Sequence, residues 1–323
     1  MKITLPLIAV VLIALAFVLW RTRTPEVHTR EVFVTDVFVK LTAQCGRESA
    51  EEAFKRAVDE IRRIDARLGY NNSLIDGLNR DHIVRDREVH MLLRVSKEVR
   101  DASSGAFSVT LKPILDAWGF TGSHPYRIPS EAEFSAWRKA PKDEAISLEN
   151  DGVTVRIPAG MGIDIGGIIE GYAVDRAREE FLKSGCSTGL ISVGGEVAAF
   201  GDRTWKIGIK HPRGEGVLAV VPLKNRAVAT SGDYERFFLA GSKRYSHTLD
   251  PSTGWPARGV MSATVVAPTC TLANAWAVAL FVAGPDRLGP VLDARGFDWI
   301  VVDGTGRVRT SRAMAACCPE GIY

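Results

Sequence analysis

From residue 31 to residue 42 the chain alternates apolar and polar positions, with Val32, Val34, Val37, Val39 and Leu41 apolar and one slip of register at Thr35 and Asp36. A period of two predicts a half-buried strand, and the slip predicts a bulge within it. The period then lengthens. Ala53, Phe54, Ala57, Val58, Ile61, Ile64 and Leu68 recur three and four apart, with Glu, Lys and Arg between them, which predicts an amphipathic helix over residues 48–68. Leu92, Leu93, Val95 and Val99 predict a second helix over 89–102, ended by Ser103-Ser104-Gly105. Residues 121–150 are rich in Pro, Ser and charge and read as a surface excursion, a seam between two better-patterned halves. Beyond it the pattern predicts strands at 153–157, 189–200, 205–210, 217–222, 262–267, 299–302 and 308–310, and helices at 167–182 and 272–282. Short strands follow one another across turns, and helices alternate with them irregularly. The expected fold is therefore α+β, with mixed, mainly antiparallel sheets and flanking helices.

One segment belongs to no such pattern. Between Ile3 and Trp20 every residue except Thr4 and Pro6 is apolar. As a helix it would be about 27 Å long, against a hydrocarbon core of about 30 Å. A transmembrane anchor over residues 1–22, a polar linker over 23–30 and one domain over 31–323 fit better than a cleaved signal peptide. Ala14-Leu15-Ala16 has the form of a cleavage site, but Phe17-Val18-Leu19-Trp20 follows it with no polar stretch. Lys2 precedes the span and Arg21, Arg23 and Arg30 follow it, a distribution that by itself would put the body in the cytoplasm. Across all 323 residues the net charge is only +3 with both signs interspersed, so neither a nucleic-acid groove nor a polybasic lipid patch stands out. Cys45, Cys186, Cys270, Cys317 and Cys318 are irregularly spaced without a Cys-x-x-Cys motif. They are expected to be small buried residues plus a reactive pair in the tail.

The candidate chemistry lies between residues 164 and 251. Asp164 ends an apolar segment and precedes Gly166-Gly167 and a helix. Free N–H groups at such a helix start cradle a phosphate, or the Asp caps the helix and the glycines make a tight turn. Neither Gly-x-Gly-x-x-Gly nor a P-loop is matched. Gly194-Gly195 interrupts a strand, as at a bulge or a close ligand approach. Thr230-Ser231-Gly232 offers two hydroxyls at a strand end. His247, just before Asp250-Pro251, is expected on a loop open to ligand, near its ordinary pKa of about 6.5 and able to accept or donate a proton. Six His without a His-x-x-x-His pair speak against a zinc enzyme.

Taken together, Asp-Ile-Gly-Gly-Ile-Ile-Glu-Gly-Tyr-Ala-Val-Asp (164–175), Ser-Val-Gly-Gly-Glu (192–196), Ala-Thr-Ser-Gly-Asp-Tyr-Glu-Arg (229–236) and Ser-His-Thr-Leu-Asp-Pro-Ser-Thr-Gly (246–254) resemble the FAD:protein FMN transferases, the ApbE family. The likeness extends upstream through Tyr70 to Asn79, Ser104-Gly-Ala-Phe107 to Pro113, and Trp118-Gly-Phe120, and covers residues 31–310. It implies a protein that binds FAD, uses Mg²⁺ at the diphosphate and transfers FMN to a Ser or Thr hydroxyl of a partner, releasing AMP. The implied partner is a flavoprotein of a membrane electron-transfer complex. The implied setting is the periplasmic face of a bacterial inner membrane. On this likeness Tyr70 lies by the isoalloxazine, while Asp164, Gly166, Gly167, Glu170, Gly194, Gly195, Glu196, Thr230, Ser231 and Gly232 line the ligand. His247 is the base, and the Ile169 carbonyl and Asn274 hold the metal. The chain departs from the family where Ala273-Asn-Ala-Trp-Ala-Val278 replaces a segment whose Asp and Thr bind magnesium, at Ser108 in place of Asp, and at Glu170 in place of Lys. Two readings follow: an active transferase, or an FAD-binding, non-catalytic paralogue serving as carrier or assembly partner.

Overall fold

The computed structural model describes residues 26–34, 37–70, 73–122 and 124–317. Its main sheet has eight strands: β1 (Val27–Val34), β2 (Val37–Gln44), β3 (Gly189–Val193), β4 (Glu196–Phe200), β5 (Arg226–Gly232), β6 (Val260–Ala267), β7 (Asp298–Asp303) and β8 (Val308–Thr310). Each is antiparallel to its neighbour, and spatial order follows chain order throughout. The bulge expected near Thr35 is instead a chain reversal, because Val34 pairs with Val37, and residues 27–30 of the expected linker belong to β1. Gly194-Gly195 likewise joins two strands rather than bulging one. Val193 pairs with Glu196, and Gly194 at φ +59° takes the left-handed conformation that a two-residue hairpin turn demands.

Eight α-helices complete the described fold: α1 (Arg47–Leu68), α2 (Leu74–Asp81), α3 (Arg87–Ala102), α4 (Lys112–Trp118), α5 (Glu131–Lys139), α6 (Gly166–Lys183), α7 (Cys270–Ala283) and α8 (Pro285–Ala294). The apolar stripe of α1 packs with α3, α6 and α7 on one face of the sheet, against residues such as Leu41, Ile191, Ala229 and Val265. The other face, with Val197, Ala199, Val228 and Ile300, is covered by the hairpin of strands Trp205–Lys210 and Val217–Leu223. A sheet covered on both sides loses its polar face, and every residue of β4 is buried.

Residues 121–150 are not a seam. The capping box Ser130/Glu133 starts α5, which buries Phe134 and Trp137 in an aromatic cluster with Trp118, Phe120 and Tyr245. Buried Asp143 accepts hydrogen bonds from Ser108 Oγ (2.6 Å), Val109 N (3.0 Å) and Thr110 Oγ1 (2.8 Å), tying this stretch to the preceding loop.

Helices α6 and α7 approach closely at Gly171. A β-carbon at Gly171 would fall 2.3 Å from the Cys270 carbonyl oxygen, so only glycine lets the helices meet. One turn later Asp175 accepts from Cys270 N (2.9 Å), Thr271 N (2.8 Å) and Thr271 Oγ1 (2.6 Å). A carboxylate of α6 thus caps the first turn of α7, satisfying N–H groups that the helix cannot pair itself.

The cysteine expectation needs correction. Cys45 and Cys186 form a disulfide (S–S 2.02 Å), because β2 pairs with β3 and brings the residues flanking those strands together. Cys270 is buried, and Cys317 is half-buried with its thiol pKa raised by burial and then by Asp298, the opposite of an activated thiol. Cys318 and the expected anchor lie outside the described residues. Among the described residues no helix is long and apolar enough to cross a membrane.

Replacing Asp175 by Ala should cost about 2–3 kcal/mol in urea unfolding, as charged hydrogen bonds to a helix start are lost; an unchanged midpoint would show the cap to be idle. The Cys45→Ser/Cys186→Ser double variant should lose about 2–5 kcal/mol, since the bond closes a long loop. Equal stability of reduced and oxidised protein would contradict that.

Candidate active site

The first turn of α6, the β3–β4 turn, β5, α7 and the segment carrying His247 surround one cavity of about 830 Å³, within the range of cofactor sites. Asp164 stands at its helical end. One carboxylate oxygen accepts from Gly166 N (2.8 Å), closing the turn into α6, and the other accepts from Tyr70 Oη (2.8 Å). Asp164 lies one residue before the N-cap Ile165, so it closes the turn that enters α6 and forms part of the cavity wall. Asn79 fixes the approach to it, accepting from Ile163 N (2.6 Å) and donating to Ile163 O (2.9 Å). The Tyr70 ring is half-exposed while its hydroxyl turns onto Asp164. Burial first, then the Asp164 charge, raises the phenol pKa and keeps it a donor.

Gly166, Gly167 and Glu170 on α6, Gly194, Gly195 and Glu196 at the β3–β4 turn, and Thr230 and Ser231 on β5 all line this cavity, as do His247 and Asn274. Thr230 Oγ1 bonds Thr264 Oγ1 at 2.9 Å. Of the remaining expected residues, Gly232 ends β5 beneath the Tyr234 ring, and Ile169 packs against the main core from the first turn of α6. Asn274 is 6% exposed, with Nδ2 donating to Glu196 Oε1 (3.1 Å) and Oδ1 accepting from Gly171 N (3.4 Å). Val278 also lines the cavity and offers no oxygen. Burial, and secondly the Glu170 charge, raise the Glu196 pKa. Among the described residues no three His, Cys, Asp or Glu side chains converge as a metal site.

His247 differs from expectation in its charge. Burial first, and the Arg236 guanidinium second, push its pKa down to about 4. Its Nδ1 lies 3.2 Å from the Arg236 carbonyl oxygen, which can only accept, so Nδ1 carries the proton. Nε2 is then the basic nitrogen.

Arg236 is a cavity residue that pattern reading missed. It acts electrostatically on both Tyr70 and His247. Lys40, Lys206 and Lys210 were missed as well, and all three line the cavity. A signal existed in the strand Trp205–Lys210, where Lys206, Gly208 and Lys210 share one face.

This fold and cavity place the chain in a known class: it belongs to the ApbE family, whose profile matches residues 33–300. The FAD:protein FMN transferase of Rhodobacter capsulatus is 33% identical over 223 residues, 66% of this chain and 42% of that protein. The Escherichia coli K12 FAD:protein FMN transferase is 29% identical over 216 residues, 64% of this chain and 62% of that protein. The chain thus spans 42% and 62% of the length of these curated relatives. Among solved structures, the ApbE protein of Thermotoga maritima superposes with a TM-score of 0.84 at 32% identity, covering 91% of this chain and 100% of that one. The apo flavinyl transferase ApbE of Pseudomonas stutzeri, 24% identical with a TM-score of 0.80 over 93% of this chain and 99% of that one, shares the fold.

In the ligand-free protein, the His247 ring should titrate by NMR well below the ordinary value of about 6.5. A midpoint at the ordinary value would refute the half-buried, neutral imidazole.

Proposed function

We propose that this chain transfers FMN from FAD to a Ser or Thr hydroxyl of a partner protein. The observation that carries the reading is the neutral His247, with Nδ1 held on the Arg236 carbonyl, lining the same cavity as the Asp164–Tyr70 pair and the glycine-backed walls. The hydroxyl oxygen attacks the phosphorus on the FMN side of the diphosphate as its proton passes to His247 Nε2. The phosphoanhydride bond breaks and AMP leaves. Arg236, Lys206 and Lys210 attract the diphosphate and oppose its charge, and the positive end of the α6 dipole lies at the cavity wall formed by Gly166 and Gly167. Once the diphosphate is bound, its negative charge raises the imidazole pKa and makes Nε2 a stronger base.

A divalent cation suits the carboxylate end of the cavity, where a buried Glu196 oxygen faces no donor. It would neutralise charge on the diphosphate oxygens. The acceptor in this reading is a flavoprotein of a membrane electron-transfer complex. The body lies on the outer face of a bacterial inner membrane, held by the apolar run between Ile3 and Trp20. The Cys45–Cys186 disulfide supports this placement, since such bonds persist in oxidising compartments.

The full chain incubated with FAD, Mg²⁺ and a candidate acceptor should add the mass of FMN to that acceptor and release AMP. The His247→Asn variant should bind FAD unchanged and transfer about a hundredfold more slowly or worse. FAD retained intact, with no AMP, would instead support the carrier reading, which the neutral Asn274 and Val278 favour. Failure to bind flavin at all would defeat both.

A further inference from the structure

Glu196 is 4% exposed, and its two oxygens live differently. Oε1 accepts from Asn274 Nδ2, whereas Oε2 has no hydrogen-bond partner. What lies beside Oε2 is a second carboxylate. A β-carbon built on Gly194 would sit 3.4 Å from Glu170 Oε2 and 3.5 Å from Glu196 Oε2, so the two oxygens converge over the same bare glycine. Neither Glu is paired with a Lys, Arg or His among the described residues, and both line the cavity. Two ionised carboxylates cannot donate to one another, and their mutual repulsion grows as water is excluded. Either a proton held between the two oxygens or a cation completes the arrangement.

We propose that Glu170 and Glu196 are the divalent-cation ligands of this chain, and that Asn274 is a positioning residue that aims Glu196 rather than a ligand itself. Hard carboxylate oxygens presented at a cavity wall suit Mg²⁺ or Mn²⁺. Asn274 uses its amide nitrogen, a donor, to hold Glu196 Oε1 and leaves Oε2 without a donor. A β-carbon at Gly194 would touch both carboxylates at ordinary contact distance, so the glycine leaves that space open. The inference rests on the proposed function only in giving the cation a diphosphate to meet; the carboxylate pair stands without it.

Mn²⁺ titrated into the full-length protein, followed by the EPR signal of the free ion with and without FAD, tests this directly. The unaltered chain should take up one Mn²⁺, displaceable by Mg²⁺. Glu170→Gln and Glu196→Gln should each weaken uptake roughly tenfold or more, and Asn274→Ala by less than either. Melting curves in chelator show whether each variant is folded, and half-buried Glu170 carries the test if Glu196→Gln is not. Uptake unchanged in both Gln variants overturns the assignment. So does the absence of uptake by the unaltered chain in both conditions, which would mean a proton shared between the carboxylates. Glutamate-dependent uptake without flavin binding would sink the transferase reading alone. Flavin transfer indifferent to both glutamates would sink the cation site alone.

Discussion

The cavity depends on how closely α6 approaches α7. Gly171 removes the side chain that would strike the Cys270 carbonyl, and Asp175 then binds the first N–H groups of α7 from the neighbouring helix. These interactions set both the distance between the helices and their register. Glu170 precedes Gly171 on α6, and Asn274 follows Thr271 by three residues on α7, so the same contact brings both to the cavity. Asn274 then reaches Glu196 across from β4. Loosening the helix pair would therefore disturb the acidic end of the site before it disturbed the sheet.

The basic residues come from other elements. Arg236 and three lysines stand on strands and their connections, while the carboxylates of Glu170 and Glu196 gather at the helix start and the hairpin turn. Charges of both signs therefore line this one cavity.

Much of this was legible in the sequence. The long helices α1, α3 and α6 followed from apolar spacing, because each buries one continuous stripe. Most of the lining residues followed from the glycine segments, since bare backbone beside polar groups has few other uses. What stayed hidden was mostly tertiary. The strand pair β1–β2 read as one bulged strand because a two-residue reversal and a bulge break the alternation in the same way. The helix α8, beginning at Pro285, was passed over, and β5 was read only as a strand end carrying two hydroxyls. The Cys45–Cys186 pairing depends on β2 meeting β3, which no local pattern records. The protonation of His247 is likewise a property of its surroundings, and its loop position suggested more water than the structure allows.

Each strand of the main sheet lies beside its nearest predecessor in the chain, so most pairings close short intervals. The β2–β3 pairing is the exception, because α1 through α6 intervene. Loop-closure entropy is therefore concentrated in this one step. The disulfide spans the same interval, at a sequence separation of 141. An oxidant that joins these sulfurs early turns a long-range search into a short one, and a reducing milieu leaves helix docking to accomplish it unaided. Assembly of the cavity is in this way coupled to the oxidation state of these two cysteines.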